Sequence, residues 1–213
     1  MVEVTAIIVA VLSLLISVVT AWLTLFRRGT IKMTRPTVIF FGSDGSGGPP
    51  KLFLRTLLYS TAKRGQLVEN MFVKLHCGGA TQTFNIWVYG DSSLARGSGL
   101  YISEDGITCN HHFLLPREDN TYEFVAGDYT LEVYVTLVGR SSSLLLSRTP
   151  LSLTHSEAAA INSRIAGVYF DWEPDSMRYD HRIHNAPVQT SQVLERFQAQ
   201  DIQWVLRQKL MGN

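Results

Sequence analysis

The stretch AGDYTLEVYVTLVG, residues 126–139, carries the clearest periodicity in the chain. Leu131, Val133 and Val135 alternate with Glu132, Tyr134 and Thr136. Side chains of a strand alternate between its faces, so this period of two describes a strand with one apolar face. The same rhythm recurs on both sides. Upstream, LVENMFVKLHC sets Met71, Val73 and Leu75 against Phe72, Lys74 and His76, and TQTFNIWVYG sets Phe84, Ile86 and Val88 against Asn85, Trp87 and Tyr89. TVIFF, KLFLRTLLYS, GLYIS, ITCNHHFLLP and SLLLSRTPLSLT complete the series, separated by turn-forming runs such as GSDGSGGPP and EDG. Seven or eight short strands with Gly and Pro breaks describe a mainly β chain, a sandwich or small barrel.

One local pattern narrows this. Gly127, Tyr129 and Leu131 occupy the places of a G-x-Y-x-C run. That run resembles the late strand of immunoglobulin-like domains, which carries their tyrosine corner. The resemblance covers residues 37–153 and implies an Ig-like antiparallel β-sandwich. It sets Cys77 in the first cysteine place and Trp87 in the place of the core tryptophan. Leu131 stands where the second cysteine belongs, so the inter-sheet disulfide of the family is not expected. Reduced cysteines at Cys77 and Cys109 agree with a cytoplasmic domain.

The N-terminus is a different material. Residues 6–26 contain no charge and no proline. As a helix this run covers about 31 Å, the thickness of a bilayer core. Its start has Glu3 and no Lys or Arg, and no small-residue cleavage pattern follows Phe26, so it reads as a retained anchor rather than a secretory signal. Arg27, Arg28, Lys32 and Arg35 follow at once, four of the 19 basic residues. Basic flanks stay on the cytoplasmic side. The reading is therefore a single-pass inner-membrane protein, N-terminus out and C-terminal domain cytoplasmic. Trp22, Arg27, Arg28, Lys32 and Arg35 form its membrane interface and the lipid bilayer is its first partner. Ala6, Ala10, Ser13, Ser17, Thr20 and Thr24 line one helical face at heptad spacing. Such faces let spans approach closely, which suggests a homo-oligomer through the span.

The parts follow in order: tail and span over residues 1–28, a basic juxtamembrane linker over 29–36, the β-sandwich domain over 37–172, a polar linker or arm over 173–190, and an amphipathic C-terminal helix over 191–211. Within the domain, Thr154 and Glu157 are spaced as a capping box, opening a short helix at 156–164. In the C-terminal segment Val193, Phe197, Trp204 and Met211 share one arc, a face suited to docking on protein.

The chemistry-bearing residues are few. Cys109, His111 and His112 form the densest run, with Cys109 and His111 on one side of a strand and His112 on the other. A metal site needs three or four converging ligands, and no zinc spacing is present. The arm gathers Asp171, Glu173, Asp175, Asp180, His181 and His184. No nucleophile motif or phosphate-binding loop accompanies them. No catalytic residue, metal or cofactor is expected. With Glu3 set aside from 18 acids and the four flanking bases from 19, residues 36–213 hold 17 acidic and 15 basic residues, no field for nucleic acid. The leading expectation is a membrane-anchored protein-interaction or sensor module. The alternatives are a membrane-tethered hydrolase or metal-binding protein using Cys109 and His111 or the arm from Asp171 to His184, and a periplasmic envelope module.

Overall fold

The computed structural model describes residues 2–26, 29–44, 47–91, 94–97, 99–116 and 121–185. Arg27, Arg28 and the helix expected over 191–211 lie outside the described residues. The apolar run forms α1 (Val2–Ala21), which continues as a wider π turn over Trp22–Phe26. No residue of α1 is buried, and among the described residues Val2–Thr24 is the one helix long and apolar enough to cross a membrane.

Everything downstream is mainly β, in two antiparallel sheets. The first sheet contains β1 (Ile31–Met33), β2 (Val38–Ser43), β3 (Pro50–Ser60), β6 (Ile86–Tyr89), β7 (Ala95–Arg96), β9 (Ile107–Leu114), β12 (Gly167–Glu173) and β13 (Arg178–His184). Its order is β13-β12-β2-β3-β9-β6-β7, with β1 added beside β3. The second sheet contains β4 (Gln66–Cys77), β5 (Ala80–Phe84), β8 (Leu100–Ile102), β10 (Gly127–Leu137) and β11 (Leu144–Leu153). Its order is β11-β10-β4-β5, with β8 beside β4. The helix α2 (His155–Asn162) follows β11 and contacts β12 and β2.

Alternation builds the core. Leu131, Val133, Val135 and Leu137 of β10 join Met71, Val73 and Leu75 of β4 in one buried cluster with Ile39, Phe41, Leu52 and Leu54 of the other sheet. Phe41 meets the Tyr129 ring edge-on at 6.0 Å, a direct contact between β2 and β10. The capping box at α2 is formed in full: Thr154 Oγ1 accepts from the Glu157 amide, and Glu157 accepts from the Thr154 amide.

Four expectations are corrected. Cys77 is not on a strand facing β10 across the core; it ends β4, opposite Tyr129 in the same sheet, and both cysteines are free. The run TQTFNIWVYG is not one strand. It breaks at Asn85, with β5 in one sheet and β6 in the other, so Trp87 reaches the core against the expected alternation. The juxtamembrane linker holds a strand, because Ile31 pairs with Ser60 and buries its side chain. The polar arm is, over Arg178–His184, the edge strand β13, whose Tyr179 hydroxyl donates to the Pro36 carbonyl at 2.7 Å. A polar strand is stable there because an edge needs partners on one side only.

Candidate functional site

The Cys109–His111–His112 run lies on β9, in the middle of the first sheet. Cys109 and His111 face inward, as the period of two requires. The Trp87 indole N–H donates to His111 Nδ1 at 3.2 Å. An indole nitrogen only donates, so Nδ1 accepts and the ring proton sits on Nε2, 3.4 Å from the Cys109 sulfur. Burial lowers the His111 pKa to about 4. Burial, reinforced by Asp91, raises that of the Cys109 thiol to about 11. At neutral pH the pair is an uncharged thiol beside an uncharged imidazole. A cysteine nucleophile needs the opposite, an accessible thiolate beside a cation.

His112 points the other way and stacks on Phe53 at 5.3 Å, in an aromatic row that continues through Phe40 to Tyr169. Burial lowers its pKa to about 3, with the Lys51 charge second. Lys51 itself is fully buried and pairs with the equally buried Asp44 at 3.0 Å. Its own pKa is lowered by burial, against the pull of Asp44. His76 lies in the other sheet from these residues. Among the described residues, no three His, Cys, Asp or Glu side chains gather as a metal would require.

The residues of the arm are spread through the β12–β13 hairpin. Asp171 pairs with Arg182 at 2.9 Å, and His181 meets Glu157 of α2 at 3.3 Å. His184 lies edge-on to the Tyr169 ring. Asp171, His181 and His184 thus have structural partners, and the acids and histidines of the arm do not gather into one site among the described residues.

Two places that the sequence pattern missed are more strongly built. The first is on the outward face of the second sheet. Glu132 belongs to the polar side of β10, yet only 6 % of it is exposed. Arg148 grips one carboxylate oxygen with Nε at 2.8 Å and Nη2 at 2.6 Å. The other oxygen accepts from the Tyr134 hydroxyl at 2.7 Å and faces His76 Nε2 at 3.0 Å. These bonds, Tyr134 first, hold the Glu132 carboxyl down at about 2. Tyr134 in turn stacks flat on Phe72, with Lys74 over its ring. Nothing in the acid's spacing signals this; only the register that sets His76, Glu132 and Arg148 on adjacent strands does.

The second is a cleft of about 500 Å³ between β11 and the β12–β13 hairpin, at the edges of the two sheets. Arg35, Arg148, Arg178, Trp172, Met177 and Tyr179 line it. The Arg35 guanidinium lies 3.8 Å over the Trp172 ring, so this expected membrane-interface residue forms a wall of the cleft. Asp128 is the acid on the rim. Lys32 is exposed on β1, and Trp22 is exposed where α1 passes into its π turn.

Along α1 and its π turn, Ser13, Ser17, Thr20 and Thr24 each donate to the carbonyl four residues earlier at 2.8 Å. Their hydroxyls are thereby satisfied within α1 and its π turn, and Ala6 and Ala10 supply smallness on the same side. Comparison with protein-family models, curated proteins and solved structures finds no match to this chain.

Proposed function

We propose that this protein is a single-pass membrane-anchored interaction module whose cytoplasmic Ig-like domain binds an acidic segment of a protein partner. The carrying observation is the cleft between β11 and the β12–β13 hairpin. It brings Arg35, Arg148 and Arg178 together around Trp172 and Tyr179. Arg, Trp and Tyr are the residue types that dominate binding hot spots. Arg148 is already paired with Glu132, which leaves Arg35 and Arg178 against the rim acid Asp128, a balance that favours an anionic partner, with Trp172 and Met177 offering apolar surface to its neighbours.

The Ig-like reading has support in the strand orders. In the Ig plan one sheet runs A-B-E-D and the other is built on G-F-C, extended by C′. The orders β2-β3-β9-β6 and β11-β10-β4-β5 correspond to these. On that correspondence Tyr129 opens strand F, where a tyrosine corner belongs, and its hydroxyl bonds the backbone of Val125. Cys77 then falls on strand C, one strand beyond the cysteine place. The orientation rests on Arg27, Arg28, Lys32 and Arg35 on one side of the span with no base on the other.

Affinity capture from membranes tests the cleft. A partner held by the wild-type chain and lost from both R178E and W172A, with the thermal transition of the domain retained, supports the proposal. A partner set unchanged in both variants removes the cleft from the function.

A further inference from the structure

We infer that the end of the β domain nearest the span is itself a membrane-docking surface, which seats the turns around Arg64 and Arg140 on an anionic phospholipid bilayer. The inference rests on reading α1 as a membrane anchor. It begins with the tether. Gly29 lies three residues beyond Phe26 and is already fixed to the domain. Its carbonyl accepts from the Gln66 side chain, and a Cβ placed on it meets Ala62 at 2.7 Å. The Thr30 amide donates to Thr61 Oγ1 at 2.9 Å, and the Thr61 amide donates to the Thr30 carbonyl at 3.0 Å. Three residues span at most about 11 Å. A headgroup layer is roughly 5–7 Å deep on each side. The surface around Ala62 and Gln66 is therefore held against the bilayer by covalent reach alone.

The residues on that surface suit the place. Val68, Leu100, Ile102 and Leu137 turn into the core, which leaves their neighbours Leu67, Tyr101 and Val138 facing out. Leu67 pairs with Tyr101 across β4 and β8, and the Val138 amide donates to the Leu67 carbonyl at 3.0 Å. The three make a continuous row and are 44 %, 57 % and 57 % exposed. Beside them Arg64 and Arg140 flank a cavity of about 410 Å³ whose wall includes Leu67 and Val138 and no acid. Lys63 is exposed next to Arg64. Of the acids at this end, Glu69 is on β4, and Glu104 and Asp105 lie on the turn whose Ser103 carbonyl accepts from Ser60 of β3. A tyrosine and two aliphatics beside paired arginines give what an interfacial site requires: an amphipathic ring at headgroup level and bases for lipid phosphates.

The test uses the full chain in nanodiscs, with and without phosphatidylglycerol in phosphatidylcholine. A spin label is placed at Val138→Cys, or for comparison at Val125→Cys, in a Cys77→Ser background with the buried Cys109 retained. The two sites flank β10, whose 11 residues cover roughly 35 Å. With phosphatidylglycerol present, the label at 138 should lose accessibility to an aqueous nickel relaxant several-fold relative to 125. The double variant R64E/R140E should restore it. Equal accessibility at the two sites overturns the docking, and a protected label that ignores R64E/R140E overturns the role of the arginines. Alkaline carbonate extraction separates the premises: release of the chain defeats the anchor itself, whereas a retained chain with an aqueous label at 138 defeats only the docking.

Discussion

The Tyr129 hydroxyl closes a loop on Val125, donating to its carbonyl at 2.7 Å and accepting from its amide at 2.9 Å. Gly127, between them, has φ +145, a value that favours glycine. One phenol oxygen thus satisfies both backbone groups of Val125 where the chain turns into β10. Y129F keeps the ring contact with Phe41 and removes both bonds. It should cost about 0.5–1.5 kcal/mol, the net worth of a hydrogen bond whose backbone partners can turn to water. Urea denaturation of the detergent-solubilised chain, followed by tryptophan fluorescence, measures it. An unchanged midpoint would show that the corner contributes nothing to stability.

Two buried histidines make the domain acid-labile. His111 and His112 titrate at about 4 and about 3 when folded, against 6.5 in a free side chain. Because the folded values are depressed, the unfolded chain takes up protons first, and stability falls as pH drops from about 6.5 toward 3. For His111 the whole window is worth on the order of 3 kcal/mol, at about 1.36 kcal/mol per unit. Glu132, lowered from 4.5 to about 2, adds a second loss across that more acidic window. H112F, which preserves stacking on Phe53, should flatten the upper window, and E132Q the lower. Denaturation midpoints at pH 7.5, 5.5 and 3 separate them, the first interval reading the histidines alone and the second adding Glu132. A wild-type midpoint constant from pH 7.5 to 5.5 would contradict the burial argument.

The Lys51–Asp44 pair should behave asymmetrically. K51M removes the cation 3.0 Å from the buried Asp44 carboxylate and should cost about 3–5 kcal/mol, while D44N/K51M together should recover much of the loss. A double-mutant cycle by the same denaturation assay reads the coupling. Additive losses would mean that the two charges do not sense each other.

Fusions at the C-terminus test the orientation. Green fluorescent protein should fluoresce there and alkaline phosphatase should be inactive; phosphatase activity would reverse the assignment and move the domain across the membrane. Replacing Ser13 and Ser17 by leucine should weaken association of the spans in a membrane two-hybrid assay, through packing rather than lost hydrogen bonds. An unchanged signal would remove the small-residue face from consideration.

Much of the β framework is legible in the sequence because alternation is strict in β10 and, from Met71 onward, in β4, and one face of each is buried; at Val68 the register slips opposite Leu137. Tyr129 was legible for the same reason: its spacing from Gly127 is local. Alternation does not say which sheet a strand joins. Phe84 and Trp87 both reach the core although three positions separate them, because the chain changes sheets at Asn85. Nor does it mark β13, whose polar residues are stabilised by pairing with β12 and by Tyr179 alone among its side chains being buried. The Cys109–His111 pair was visible as a motif, but its uncharged state comes from burial under Trp87, a tertiary fact. The cleft was hidden for a simpler reason. Arg35, Arg148, Trp172 and Arg178 are scattered over more than half the chain and meet only when both sheet edges are in place.

The junction at Gly29 has a mechanical consequence. A flexible leash would let the span rotate or tilt while the domain stayed still. Here Gly29 and Thr30 are stitched to the β3–β4 turn, and Ile31, Lys32 and Met33 run on as a strand beside β3. Torque that reaches Gly29 passes directly into the β domain. A turn of the chain at Gly29 therefore turns the β3–β4 corner with it, because Gly29 and Thr30 are held there by side-chain and backbone bonds together.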